Sequence, residues 1–258
     1  MLTGAEIRRL VQKGEIRISD FSEERLNPNS YNLRLGNKLL IYDISVESGD
    51  YLDSKKKNPT KEIIIPEDGY VLRPGVFYLG TTMESTYAKN HIANIDGRSS
   101  AARLSLEVHR TAGFGDIGFD GTWTLEMTTM LPLKIYPGQE ICQVYFETPE
   151  GDTSIKYHGR YQHQDGTTAS RLYMSKEEIE DGFNEDNERN CQISKMLDNL
   201  KPNTDLYHEF VDMVNECEKN DWIHWSKLYG DFREKYNTIT FDKLVGFTES
   251  YNNIDDGK

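Results

Sequence analysis

Short runs of alternating apolar and polar residues, interrupted by proline and glycine, dominate the first two thirds of this 258-residue chain. Each run is shorter than an average helix and is bounded by turn residues. Short strands at this spacing are typical of a closed or sandwiched antiparallel β fold. The runs that predict strands are 31–35, 62–66, 70–73 and 76–82, with two more on either side of Pro137-Gly138.

Two local patterns refine this prediction. Tyr31, Leu33 and Leu35 alternate with polar residues before Gly36-Asn37, which is typical of a β-hairpin. At the start of the chain, Thr3 and Glu6 have the spacing of a capping box and precede apolar residues at helical intervals. We therefore expect a short helix that ends near Gly14.

The composition changes near Met174. Residues 175–258 hold 20 acidic and 10 basic residues, whereas residues 1–174 hold 23 and 20. Capping-box spacing at Ser175 and apolar residues at helical intervals from Leu206 predict helices in the second part. We therefore divide the chain into a β domain, 1–174, and an acidic α-helical extension, 175–258.

Charge and cysteine content narrow the class of protein. A formal net charge of −13 argues against nucleic-acid binding, because affinity for the phosphate backbone comes from clustered Lys and Arg. Three cysteines without a CxxC pair predict neither a disulfide framework nor a zinc site. No apolar run has the length of a signal peptide or a membrane span. We expect a cytoplasmic protein.

Residues 96–127 carry most of the candidate chemistry. Gly97 permits a tight turn, after which Arg98, Ser99 and Ser100 offer a guanidinium and two hydroxyls that can hold phosphates. The same residues are also compatible with an ordinary helix start in which Ser99 or Ser100 is the cap. In a helical turn, Ser99 and Arg103 lie on one face.

Residues 122–128 predict a strand with one polar face. Period-two alternation places Trp123, Leu125 and Met127 toward the core and Glu126 on the opposite side among threonines. Glu126 then faces either water or a polar cavity. Further along, residues 156–171 mix cations, aromatics, amides and glycine, a composition that fits a disordered connection or a flap that becomes ordered over a ligand.

Several ordered motifs resemble the dCTP deaminase family, relatives of the trimeric dUTPases. They include NPNSYNLRLG, YVLRPGVFYLGTT, GRSS-x-ARL, TAGF-x-D-x-GF-x-G-x-x-TLE, PL-x-IYPGQ-x-I-x-Q and YQ-x-Q-x-G-x-x-x-SR. The resemblance runs from about Asn27 to Arg171. It implies a distorted antiparallel β-barrel of the dUTPase-like type, assembled as a homotrimer with active sites between subunits. It also implies hydrolysis of dCTP to dUTP and ammonia without zinc.

By the same resemblance, Glu126 is the general base and proton shuttle. Ser99 and the main-chain carbonyl of Ala112 correspond to the groups that hold the nucleophilic water, and Arg103 to the arginine that sets the charge of the site. For the substrate, Asp116 corresponds to the residue that recognises deoxyribose. The main chain of Thr124 and Leu125 would read the base.

The phosphates of dCTP would meet two sets of residues. Arg98, Ser99 and Ser100 form the first; the second comes from the 156–171 segment, now interpreted as a nucleotide-closing flap, and consists of Arg160, Tyr161 and Gln164. Mg²⁺ would bridge the phosphate oxygens. The resemblance also implies possible inhibition by dTTP, acting at residues 109–112.

Four residues depart from the family pattern. Ser105 stands where glycine is usual, Gly115 where an aliphatic residue is usual, Thr129 where asparagine is common and Asn32 where aspartate is frequent. Because Gly115 precedes Asp116, we expect a more flexible loop at the sugar.

Two alternatives remain open. The TAGF run is also similar to bifunctional family members, which convert dCTP to dUMP and pyrophosphate. The unusual acidic extension is compatible with a non-catalytic, nucleotide-binding regulator that docks on a partner.

Overall fold

The computed structural model describes residues 1–179 and 208–214. The chain divides into two compact units, Met1–Ser175 and Lys176–Lys258. In the second unit, residues 176–179 and 208–214 are helical. The other predicted helices of the extension lie outside the described residues. No helix in the described ranges is long and apolar enough to cross a membrane.

The first unit is mainly β. Helix α1 (Gly4–Gln12) opens it and the short helix α2 (Ser99–Ala102) interrupts the strands. The strands are β1 (Ile16–Ile18), β2 (Tyr31–Arg34), β3 (Lys38–Tyr42), β4 (Thr60–Ile64), β5 (Tyr70–Leu72), β6 (Tyr78–Ala88), β7 (Ile92–Gly97), β8 (Leu106–Glu107), β9 (Phe114–Gly115), β10 (Asp120–Thr129), β11 (Leu133–Ile135) and β12 (Glu140–Glu147).

All strand pairs are antiparallel, and the strands form three sheets. One has the order β4-β3-β6-β10-β8, with β1 also on β6; the second is β11-β5; the third is β2-β12-β7-β9. Side chains from the sheets meet in one buried apolar cluster, which includes Leu33, Leu39, Leu125 and Val144. This arrangement confirms the predicted mainly β fold, a distorted antiparallel barrel.

The opening helix is also as predicted. Thr3 is its N-cap, and its hydroxyl accepts a hydrogen bond from the Glu6 amide at 3.3 Å. Ile7 and Leu10 are buried on one face, as the helical spacing requires.

The predicted hairpin at Gly36-Asn37 is wrong. β2 pairs with β12, whereas β3 pairs with β4 and β6, so the two strands enter different sheets. Gly36 is the crossing point: its amide donates to the Thr81 carbonyl at 2.8 Å, and a Cβ there would lie 2.7 Å from the Thr81 side chain. Glycine is needed for this close approach to β6 rather than for a tight turn.

Candidate active site

Glu126 lies in the middle of β10, on the strand face opposite the core. Trp123, Leu125 and Met127 are buried, as their alternation predicts, and Glu126 is half-buried. Its Oε2 accepts a hydrogen bond from the main-chain amide of Arg110 at 3.1 Å. An acceptor role suits the ionised carboxylate, which is the form a general base requires.

The turn at residues 109–113 lies directly against this carboxylate. Arg110 contacts Glu126, and three residues later the Gly113 carbonyl accepts from the Ile95 amide in β7 at 2.6 Å. Ala112, whose carbonyl is predicted to hold the water, lies between these two fixed points. Ala112 is exposed, so the turn borders open space beside β10, the strand that carries Glu126.

Ser99 is the first residue of α2 and Arg103 is its C-cap residue, and both are exposed. The Arg103 amide donates to the Ser99 carbonyl at 3.1 Å, so the two residues are one helical turn apart as expected. The alternative in which Ser99 or Ser100 caps the helix is wrong, because Arg98 is the N-cap residue and makes no side-chain cap bond. In the described part of one chain, neither Ser99 nor Arg103 is hydrogen-bonded to Glu126.

Arg98 is engaged within its own chain. Its Nη1 donates to the Glu140 carbonyl at 3.1 Å and lies 2.8 Å from Glu140 Oε2. Ser100, the other predicted phosphate contact, is exposed. Sequence reasoning missed Glu140, although the residue lies inside the quoted PGQ-x-I-x-Q motif; no local pattern reveals that β12 brings it to Arg98.

An open cavity of about 400 Å³ adjoins the predicted sugar-recognition residue, Asp116. Its walls are Ile92, Phe114, Asp116, Ile117, Ile155, Lys156, Tyr157 and His158. Tyr157 packs edge-on against Phe119, and burial raises the pKa of its hydroxyl. The cavity therefore combines aromatic and aliphatic walls with one carboxylate, one lysine and one histidine. Apolar walls with a few polar groups are typical of small-molecule sites.

Gly115 is closely packed beside Asp116, and this packing argues against the expected flexibility of the loop. The residue is buried, and a Cβ on it would lie 2.4 Å from Cη2 of Trp123. The indole of Trp123 thus fills the space that an aliphatic side chain would take at position 115. Its Nε1 donates to Thr86 Oγ1 at 2.8 Å, which fixes the ring.

Thr124 and Leu125 lie where one edge of β10 is open. On one side they pair with Thr81 and Gly80 of β6. On the other side β8 pairs only with Thr128 and Thr129, so among the described strands none covers the main chain at Thr124 and Leu125 from that side. An uncovered strand edge has main-chain donors and acceptors free to read a base.

The 156–171 segment is folded against β10, which excludes the interpretation as a disordered connection. The Thr122 amide donates to the Gln164 carbonyl at 3.0 Å, and the Gln164 amide group donates to the Thr122 carbonyl at 2.6 Å. The Arg171 amide donates to the Tyr161 hydroxyl at 3.1 Å, while Arg160 donates to the Met174 carbonyl at 3.0 Å. The predicted flap residues are therefore held in place by their own chain.

Five buried side-chain polar atoms lack a hydrogen-bond partner within the described ranges. Three of them are Gln164 Oε1, Arg160 Nε and His109 Nδ1, and the other two belong to His91 and Asn94. Such atoms are rare in folded proteins because each costs the free energy of an unmade hydrogen bond. Of the three, two belong to predicted substrate contacts and the third to the turn beside Glu126.

Residues 1–149 match the family model described as dCTP deaminase-like. The chain belongs to the dCTP deaminase-like family. It is 48% identical over 173 residues to a protein of Hathewaya histolytica named "dCTP deaminase, dUMP-forming", a match that covers 67% of this chain and 97% of that protein. A Cytophaga hutchinsonii protein of the same name is 47% identical over 67% of this chain and 96% of its own length.

Among solved structures, a 2′-deoxycytidine 5′-triphosphate deaminase from Agrobacterium tumefaciens is 24% identical over 56% of this chain and 47% of that chain, with a TM-score of 0.43. The sequence-based assignment to the dCTP deaminase family is confirmed by the family model and by the curated relatives. The roles assigned to individual residues stay predictions.

Proposed function

We propose that this protein hydrolyses the C4 amino group of dCTP and converts the product further to dUMP. The observation that carries the proposal is its 48% identity to a relative that is named dCTP deaminase, dUMP-forming, and is matched over 97% of its length. The name favours the bifunctional alternative over release of dUTP as the final product.

Glu126 is the proposed base. One water adds to C4 of cytosine as Glu126 takes its first proton and passes it to the ring nitrogen N3. Glu126 then takes the proton of the new C4 hydroxyl and gives it to the amino group, so the C4–N4 bond breaks, ammonia leaves and the C4 carbonyl of uracil forms. The Arg110 amide holds one carboxylate oxygen, which leaves the other free for the water. A second water cleaves the anhydride between the α- and β-phosphates and yields dUMP and diphosphate.

Ser99 and Arg103 are proposed to act on the Glu126 of a neighbouring copy. Both are exposed at the two ends of α2, and in the described part of their own chain neither has a hydrogen bond or ion pair with Glu126. Assembly as a homotrimer with sites between subunits would bring the two sets together. Inhibition by dTTP at residues 109–112 and a cytoplasmic location belong to the same proposal.

Substrate binding would use exposed groups together with groups that the protomer engages only in part. The exposed Ser99 and Ser100 hydroxyls and the Arg98 guanidinium suit phosphate oxygens, and the phosphates would carry Mg²⁺. In the described ranges no group of three or more His, Cys, Asp or Glu side chains is placed to hold a metal ion. Asp116 would meet the deoxyribose, while Arg160, Tyr161 and Gln164 would close over the triphosphate.

The test is to incubate the full-length protein with dCTP and Mg²⁺ and to measure ammonia, dUTP, dUMP and diphosphate together. We expect ammonia, dUMP and diphosphate in equal amounts, and loss of turnover on chelation of Mg²⁺. Accumulation of dUTP as the sole nucleotide product would refute the second hydrolytic step. Binding of dCTP or dTTP without ammonia would instead support the regulator.

A further inference from the structure

The guanidinium of Arg98 is fixed through only one of its nitrogens. Nη1 contacts both the carbonyl and the carboxylate of Glu140, at 3.1 and 2.8 Å. Within the described residues, Nε and Nη2 have no hydrogen-bond or ion-pair partner. The side chain is therefore restrained at one end of its fork, and its other donors remain available.

Glu140 is itself held from the opposite side. Asn32 Nδ2 donates to Glu140 Oε2 at 2.9 Å, and Asn32 Oδ1 accepts from Asn27 Nδ2 at 2.7 Å. Asn32 is buried, with 5% of its surface exposed. An amide at position 32 can bridge a donor and an acceptor, whereas a carboxylate cannot donate to Glu140. This explains the asparagine that stands where the family often has aspartate.

The main chain beneath Arg98 is restrained by the same strand. Gln143 Nε2 donates to the Gly97 carbonyl at 3.1 Å, and Gln143 Oε1 accepts from the Ser30 hydroxyl at 2.8 Å. Ser30 in turn accepts from Asn27 at 3.2 Å. One hydrogen-bonded network, built from residues 27–32 and β12, thus supports both the backbone before Arg98 and its side chain.

We propose that Glu140, oriented by Asn32, is a positioning residue that presents Nε and Nη2 of Arg98 to the triphosphate of the substrate. The inference rests on the proposed function, in which Arg98 binds phosphate. A long arginine side chain loses rotamer entropy when it binds, and a partner that fixes it beforehand removes part of that cost. Glu140 then strengthens the binding of an anion even though it is negatively charged.

The direction in which removal of Glu140 changes anion binding distinguishes a positioning role from simple electrostatic repulsion. A carboxylate near a triphosphate repels it, so removing Glu140 would tighten binding if charge alone mattered. If Glu140 positions Arg98, removing it weakens binding instead. In either case removal of Glu140 acts on the binding of phosphate groups. Binding of deoxycytidine, which has no phosphate, therefore stays unchanged.

The experiment compares wild-type protein with Glu140→Ala, Glu140→Gln and the control Glu147→Ala, which removes the same charge from the far end of β12. We expect Glu140→Ala to raise both the KM for dCTP and the calorimetric Kd for inorganic tripolyphosphate by about tenfold. Glu140→Gln keeps an acceptor oxygen and is expected to lie between. The values of kcat and the Kd for deoxycytidine should change less than about twofold in all variants.

A second comparison tests the network without deleting it. In Asn32→Asp/Glu140→Gln the carboxylate and the amide exchange places, so the bridge between positions 32 and 140 is kept; this variant is expected to bind tripolyphosphate more tightly than Glu140→Ala. Unchanged or lower KM and Kd in Glu140→Ala, with an unchanged melting temperature, would overturn the positioning role. If wild-type protein releases no ammonia from dCTP, the proposed function fails instead, and tripolyphosphate binding still decides the role of Glu140.

Discussion

The carboxylates of Glu84 and Glu126 differ in burial and in the number of hydrogen bonds that they accept. Glu84 on β6 is fully buried, and Arg34 donates to both of its oxygens, at 2.8 Å from the amide and 2.6 Å from Nε. The guanidinium of Arg25 lies 4.0 Å away. Glu126 is half-buried and receives one main-chain hydrogen bond.

This difference distinguishes a carboxylate that stabilises the fold from one that can act as a general base. A buried carboxylate must have its lone pairs satisfied by its own chain, since water cannot solvate it. A general base needs an oxygen that is free when the substrate arrives. The carboxylate that is bound by its own chain therefore belongs to the scaffold, and the carboxylate with a free oxygen is the one that we propose as the catalytic base.

The largest effect is expected from substitution of Glu126. Glu126→Gln retains shape and removes the base, so kcat for ammonia release should fall about a thousandfold while the melting temperature stays close to wild type. Glu107→Gln is the matched control, because Glu107 lies on the adjacent β8 and accepts from Thr128 Oγ1 at 2.7 Å. Undiminished ammonia release by Glu126→Gln would remove Glu126 from the mechanism.

Substitution of the buried Glu84 is expected to change stability. Glu84→Gln leaves Arg34 and Arg25 without their buried counter-charge, which should lower the free energy of unfolding by about 3–5 kcal/mol. Urea unfolding followed by circular dichroism measures the change. Glu62→Gln, which breaks the exposed pair with Lys38, should cost less than about 1 kcal/mol. Equal costs for the two variants would contradict the distinction drawn between buried and exposed charge.

Local patterns predicted which segments are strands but not their partners. The alternation in residues 122–128 predicted both the buried face of β10 and the position of Glu126. The same kind of pattern in residues 31–42 was mistaken for a hairpin, because alternation defines a face and leaves the pairing open. The pairing of β2 with β12 joins residues more than a hundred positions apart, and no local signal encodes it.

The candidate site shows the same limit. Motif resemblance supplied Ser99, Arg103, Ala112 and Glu126, yet of the described residues only Arg110, in the same turn as Ala112, is hydrogen-bonded to Glu126. The Glu140 contact to Arg98 depends on the register of β12 against β7, which places Cys142 opposite Gly97. Contacts that depend on strand register require the folded structure.

Substitution of Gly115 tests whether the loop beside Asp116 is as tightly packed as the interior. In Gly115→Ala the new methyl group meets the ring of Trp123, so the free energy of unfolding should fall by about 1–3 kcal/mol. Gly97→Ala is the control, because its Cβ would meet only Val108 Cγ2 at an ordinary 3.6 Å. Thermal and urea unfolding of both variants provide the measurement. A Gly115→Ala variant as stable as Gly97→Ala would restore the flexible-loop interpretation.

The smallest effect is expected at His91, whose side chain is half-buried. Its Nδ1 is buried without a partner among the described residues, and burial lowers the pKa of the ring, partly offset by Glu15 and Glu6. Because the unfolded chain then takes up the proton first, stability should fall as pH drops below the ordinary value of 6.5 and level off below the lowered pKa. Melting temperatures between pH 8 and 5 should decline less in His91→Gln than in wild type. Parallel pH profiles for the two proteins would mean that His91 titrates alike in the folded and unfolded chains, and the missing hydrogen bond would then carry no electrostatic cost.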